Sequence, residues 1–247
     1  MIAWAGAIVL GLFLGLGGEP PELNELVPGV RVAPGVVEFA GTVCADPSHP
    51  ETPIVYLEML VTGPDSREHE SLVVTSVAPS AIHAGLLAAG FEPGHPVREE
   101  IGERIGATGD RVRVEVSLVG PDGAGPFTPL SDWGVRIRDE GDESPAQRLS
   151  DADDWALVFA GSVLKAGGYA ADRTGTIVGL TGFGTEVVSP TWTLSPWLSV
   201  DEPEWIVDAD RVPPFGTEVM VRIVGAGGAG DGPSVGDDRD APGPGSE

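Results

Sequence analysis

The chain has 247 residues, with 14 Lys and Arg against 38 Asp and Glu, a formal net charge of −24. That balance excludes a nucleic-acid surface, which needs clustered cations, and docking on anionic lipid. The lone Cys44 excludes an intramolecular disulfide, an iron–sulfur cluster held by this chain alone and a Cys-rich zinc module.

Residues 1–18 open with Ile2–Gly18, 17 residues without a charge. This length lies between a secretory h-region of about 7–15 residues and a spanning helix of about 17–25. The segment reads as a signal peptide or N-terminal anchor. The expected location of the rest is therefore outside the cytoplasm, in the periplasm or on the outer face of the inner membrane. Membrane contact is expected only through this segment. The Pro-rich, acidic stretch 19–35 reads as a linker.

Strand patterns follow. Val36–Val43 is rich in β-branched residues, Ile54–Val61 is apolar almost throughout, and Arg111–Val119 alternates strictly. Trp155–Val163, Thr176–Leu180, Trp205–Val207 and Glu218–Val224 continue the pattern. Pro79-Ser80 opens a helix that runs through Ala81–Ala89 to a stop at Gly90. A second helix is expected over Glu99–Ile105. The fold expected is α+β and predominantly β, with antiparallel or mixed strands and one clear helix. Gly225–Glu247 holds 8 Gly and 3 Pro in 23 residues, and such a tail (225–247) is expected to be disordered.

Three echoes run in order along the chain. Phe39-Ala40-Gly41-Thr42-Val43 returns as Phe159-Ala160-Gly161-Ser162-Val163. Glu70-Ser71-Leu72-Val73-Val74 has a looser echo in Glu186-Val187-Val188. Gly109 with Val112, Val114 and Val116 returns as Gly216 with Val219, Val221 and Ile223. They suggest two degenerate halves, 36–120 and 155–224, within a domain spanning 36–224. Chance recurrence of short strand motifs is the alternative.

The chain resembles the YdjY-domain proteins of bacteria. The matching pieces are Tyr56-Leu57-Glu58, His69-Glu70-Ser71-Leu72 and Ile82-His83-Ala84-Gly85-Leu86-Leu87. Val158-Phe159-Ala160-Gly161-Ser162 follows, then Tyr169, Ala171-Asp172 and Gly175. The resemblance implies an exported domain without an established activity.

The densest chemistry is Glu58, His69, Glu70 and His83. On a helical wheel His83 lies about 40–60° from Leu86 and Leu87, within the apolar face. A buried imidazole needs partners, so a polar pair of His83 with Glu58 or Glu70 is the economical expectation. A divalent metal held by His69, Glu70 and His83 is the alternative, since imidazole and carboxylate suit zinc or iron. A metal-free acid–base pair is a third reading. The 14-residue gap between His69 and His83 is no metalloprotease signature. Cys44 with His49, and Asp151, Asp153 and Asp154, are weaker metal candidates, read first as turns and a solvated acidic segment. No nucleotide is expected, because the glycine runs do not join a strand to a helix. Trp192 and Trp197, flanking Pro190 and Pro196, would form a polysaccharide or peptide platform if exposed. As aromatics they more readily cap the core.

The function expected is a binding or structural module outside the cytoplasm, with an exported protein or a polysaccharide as its partner. A metal-binding protein or metal-dependent enzyme using His69, Glu70 and His83 is the alternative, so enzyme status stays open.

Overall fold

A computed structural model describes residues 22–137, 145–152 and 155–227. The N-terminal segment 1–18 and the tail from 228 onward lie outside the described residues, as do Asp153 and Asp154. Among the described residues no helix is long and apolar enough to cross a membrane.

Among the described residues, shorter strands such as Trp205–Val207, paired with Gly134–Arg136, lie outside the frame of the fold, and ten strands and two helices form that frame. In chain order they are β1 (Asn24–Val27), β2 (Val30–Ala33), β3 (Val36–Val43), β4 (Met59–Thr62) and β5 (Ser71–Val74). Helix α1 (Pro79–Ala88) comes next, then β6 (Arg111–Gly120) and β7 (Leu157–Phe159). Helix α2 (Ala170–Thr174), β8 (Thr176–Gly179), β9 (Val188–Pro190) and β10 (Glu218–Gly225) complete the set.

Eight of the strands close a barrel in the order β3-β10-β6-β7-β9-β8-β4-β5, with β5 returning to β3. Two neighbouring pairs, β4–β5 and β8–β9, are parallel, and the other six are antiparallel. Closure removes the exposed edges that an open sheet would present. Phe39, Leu60, Leu72, Phe159, Ile177, Val221 and Ile223 are among its buried core residues. β4 is buried at all four positions, Met59, Leu60, Val61 and Thr62, whereas Ile54 and Tyr56 of the apolar stretch before it are exposed.

Exchanging β3–β6 with β7–β10 leaves this pairing order unchanged, parallel pairs included. The registers follow. Met59 faces Gly179 and Thr62 faces Thr176, and adding 117 to the first strand's numbers interchanges the two pairs (59 + 117 = 176; 62 + 117 = 179). Val219 faces Gly41, as Val112 faces Leu157. Val43 faces Val73, as Phe159 faces Val188. The counterpart of Phe159 is therefore Val43. The Phe39–Phe159 echo is four residues out of register, an even shift that keeps every side chain on its original face.

α1 lies over β2 and β3, burying Ile82 and Leu86. Gly85 permits the approach, because a Cβ there would lie 2.8 Å from Val30 Cγ1. The helix ends where expected. Gly90, at φ +96°, donates to Leu87 O, and Phe91 donates to Leu86 O, a Schellman stop. At the other end the Asp172 carboxylate of α2 accepts the Ser80 N–H at 2.7 Å.

Several expectations are corrected. The stretch 19–35 is not a linker throughout, because β1 and β2 extend the sheet from Asn24. Glu99–Ile105 is not helical. Arg98–Glu100 pairs with Glu103–Ile105 as a hairpin, and Ile101 and Gly102 both take positive φ at its two-residue turn. Regular strand begins only at Met59 within Ile54–Val61. It stops at Phe159 within Trp155–Val163, where Gly161 and Ser162 turn left-handed.

Candidate functional site

The β4–β8 pair ends differently on its two sides. At one end Gly63 donates its N–H to Gly175 O at 2.8 Å, and the backbones touch: a Cβ on Gly63 would lie 3.1 Å from Gly175 Cα. At the other end Leu180 donates to Glu58 O at 2.8 Å, and Thr181 donates to the same carbonyl at 3.1 Å. Adding 117 relates these ends (63 + 117 = 180; 58 + 117 = 175). The glycine end leaves no space. The Glu58 end opens into a cleft of about 450 Å³.

The short 3-10 helix Glu68–Glu70, with Arg67 before it, packs beside this opening. Glu58 N–H donates to Glu70 O at 3.0 Å, which fixes the two residues side by side. Arg67 Nη1 then donates to Glu58 Oε2 at 2.5 Å and to Glu70 Oε2 at 3.1 Å. Its guanidinium sits 4.4 Å over the Phe183 ring. Burial, then the adjoining Glu70 carboxyl, push the Glu58 carboxyl up to about 7 against the pull of Arg67. The Glu58 carboxyl therefore exchanges its proton near neutrality.

Leu57, Leu194 and Trp205 supply apolar wall, and Leu198 stands exposed at the rim. Asp201, Glu202 and Glu204 add carboxylates. Two wall residues carry polar atoms that are buried and have no partner among the described residues: Trp205 Nε1 and Thr181 Oγ1. A buried N–H or hydroxyl without a partner costs about 1–3 kcal/mol, so each is a vacancy in the hydrogen-bond accounting of the fold.

The Glu58–His83 pair does not form. Glu58 is taken by Arg67, and His83 Nδ1 lies 2.8 Å from the Tyr169 hydroxyl. That hydroxyl also lies 3.1 Å from Gly161 O, and while it donates there it can only accept a hydrogen bond from His83, which places the proton of a neutral ring on Nδ1. Burial holds the imidazole below its usual range, with the Gly161 carbonyl acting in the opposite sense. Phe159 and Tyr169 both meet the ring edge to face. α1 brings His83 here because Asp172 and Ser162 fold residues 161–172 against it.

The set His69, Glu70 and His83 is likewise not assembled. His69 Nε2 is 3.7 Å from Glu70 but its side chain is exposed, while His83 belongs to the Tyr169 cluster. Among the described residues no group of three or more His, Cys, Asp or Glu could hold a metal ion. Cys44 is buried, its thiol 3.4 Å from Ser71 O and pushed up to about 12 chiefly by burial. His49 lies in an exposed turn held by Asp46. Asp151 ends a short 3-10 helix, Leu149–Asp151.

The two tryptophans expected as a platform separate. Trp192 stacks between Trp155 and Trp205, with centroids 4.9 and 6.0 Å away, and its indole N–H reaches Leu180 O at 2.6 Å. It is half-buried and packs against the core. Trp197 is 62 % exposed beside Leu198. Sequence reasoning passed over Arg67, Thr181 and Tyr169. Arg67 had one local signal, its i,i+3 spacing to Glu70. Tyr169 stood among the quoted motif residues. Thr181 had none, since its place beside Glu58 is made by strand pairing.

A family model described as the YdjY domain matches residues 30–224. No curated protein and no solved structure matches the chain significantly.

Proposed function

Given that the chain belongs to the YdjY-domain family over residues 30–224, a stretch containing all eight barrel strands up to Val224, we propose that it is a binding module working outside the cytoplasm. Its ligand site is the cleft at the Glu58 end of the β4–β8 pair. One observation carries this reading: two residues that line a single cleft, Trp205 and Thr181, each keep a buried polar atom, Nε1 and Oγ1, with no partner among the described residues. Folded proteins pair most such groups, and a ligand in the cleft would give these two a partner, whereas Arg104 Nε and Ser189 Oγ, also without one among the described residues, lie outside it. We read the two halves of the barrel as copies of one unit, on the support of the interchangeable registers. In that reading the cleft arose by opening one of two equivalent ends. The expected export rests on the uncharged stretch Ile2–Gly18.

The test is a screen of small polar fragments against the full chain, read through the indole N–H resonances. Binders should move the Trp205 resonance, identified through Trp205→Phe, and Leu198→Lys at the rim should weaken them. A screen whose binders all leave Trp205 unmoved would overturn the site. Export is checked by fusing residues 1–21 to a reporter that is active only outside the cytoplasm. A silent fusion would remove the export reading.

A further inference from the structure

The cleft combines three demands on its occupant. The first is charge. Five carboxyl groups line it: Glu58, Glu70, Asp201, Glu202 and Glu204. Arg67 offsets the first two in part, and Arg136 holds Glu204 at 2.6 Å. Asp201 accepts the Ser195 N–H at 2.7 Å, and Glu202 is exposed. The local field is negative within a chain of net charge −24, so it attracts cations and repels anions.

The second demand is apolar. Leu57, Leu194 and the exposed Leu198 make a wall suited to a methylene stem. The third is a hydrogen-bond acceptor. The Trp205 indole can only donate, so a partner for its buried N–H must be an acceptor, such as a carbonyl oxygen. A free amine meets the first demand alone, and a neutral sugar draws nothing from the field. A peptide carrying Lys or Arg meets all three: its cation at Glu58 and Glu70, its stem on the leucines, and a main-chain carbonyl on Trp205 Nε1. At about 450 Å³ the cleft lies within the usual range for ligand sites of about 300–1,000 Å³.

We propose that the cleft binds a basic, extended peptide segment of a partner protein. This rests on the cleft being a ligand site and adds the chemistry of the ligand. Binding favours ionised Glu58, so the complex releases a proton. Glu58 faces Arg67 and Glu70, with His69 3.7 Å from Glu70, while Asp201, Glu202 and Glu204, the last paired with Arg136, also line the cleft. An arriving cation outweighs Arg67's partial neutralisation of the pair. Affinity should therefore rise between pH 5 and pH 8, where the Glu58 carboxyl ionises.

The experiment titrates the full chain with an acetylated, amidated peptide of alternating leucine and arginine, and with its citrulline twin. The arginine peptide should bind and shift the Trp205 indole resonance, with citrulline at least about tenfold weaker, a difference of about 1.4 kcal/mol. Glu58→Gln combined with Glu70→Gln should weaken binding by a similar factor. Glu202→Gln, on an exposed side chain that cannot unfold the barrel, should weaken it several-fold. Equal binding of the two peptides, or binding indifferent to all three carboxyls, overturns the proposal. If only an oligomer of N-acetylglucosamine shifts Trp205, the peptide proposal fails and the binding cleft stands. If no probe shifts Trp205, both fall.

Discussion

Glu58 and Glu70 meet on one terminal nitrogen of Arg67, at 2.5 and 3.1 Å, with their main chains joined by a 3.0 Å hydrogen bond. Two carboxyl groups on a single cation cannot both ionise as freely as separate ones. The sequence places 11 residues between them, and the turn through Arg67 brings them together.

The Glu58 carboxyl should titrate with a midpoint near 7 in carbon-detected NMR, against 4.5 for an unperturbed group. Glu70→Gln should lower that midpoint, and Arg67→Met should raise it. The folded state holds this proton more tightly than the unfolded chain does. Its contribution to stability is therefore full below about pH 4.5 and is lost as pH rises through about 7. Denaturant midpoints of Glu58→Gln should fall less than wild type across that window. Parallel curves would show that the carboxyl is not the titrating group.

Removing the Tyr169 hydroxyl should uncouple His83 from Gly161. Tyr169→Phe takes away one bond given at 3.1 Å and one received at 2.8 Å. The expected cost is about 1–2 kcal/mol, read as a lower urea midpoint. Nitrogen NMR of His83 should show Nδ1 protonated in wild type and a mixture of tautomers in the variant. A wild-type ring protonated at Nε2 would contradict the assignment.

Glu186 is a buried carboxyl that closes the loop before β9. Its Oε1 accepts the N–H groups of Phe183 and Gly184, and its Oε2 accepts that of Thr185 at 2.9 Å. Burial pushes it up to about 7 even so. In Glu186→Gln one oxygen becomes an NH₂ facing a backbone donor. At pH 8 this should destabilise the fold by about 1–3 kcal/mol. An unchanged chemical-denaturation midpoint would mean that the loop can turn the amide away.

The closed end of the β4–β8 pair depends on having no side chains. Gly63→Ala sets a Cβ 3.1 Å from Gly175 Cα, where only backbone could yield. The expected loss is on the order of 1–3 kcal/mol. Gly125→Ala, whose Cβ would make only ordinary contacts from 3.6 Å outward, should change stability by less than about 0.5 kcal/mol. Equal thermal midpoints for the two variants would remove the steric distinction between the ends.

Local pattern and tertiary pairing divided the information about this protein. β3, β6, β10 and α1 were legible in the sequence, because alternation, helical spacing and a glycine stop act within a few residues. The three echoes run along the chain in the same order as the strands that the exchange interchanges. Against the strand pairing the Phe39–Phe159 echo is displaced by four residues, an even slip that leaves the inward and outward faces unaltered, and the Glu70–Glu186 echo by one. Only the tertiary structure decided that β5 returns to β3 and closes the barrel. It alone gave Glu58 to Arg67 and His83 to Tyr169, a partner 86 residues away. A buried polar residue announces that it needs a partner. Which one it receives depends on strand order and register, set by packing across the whole chain.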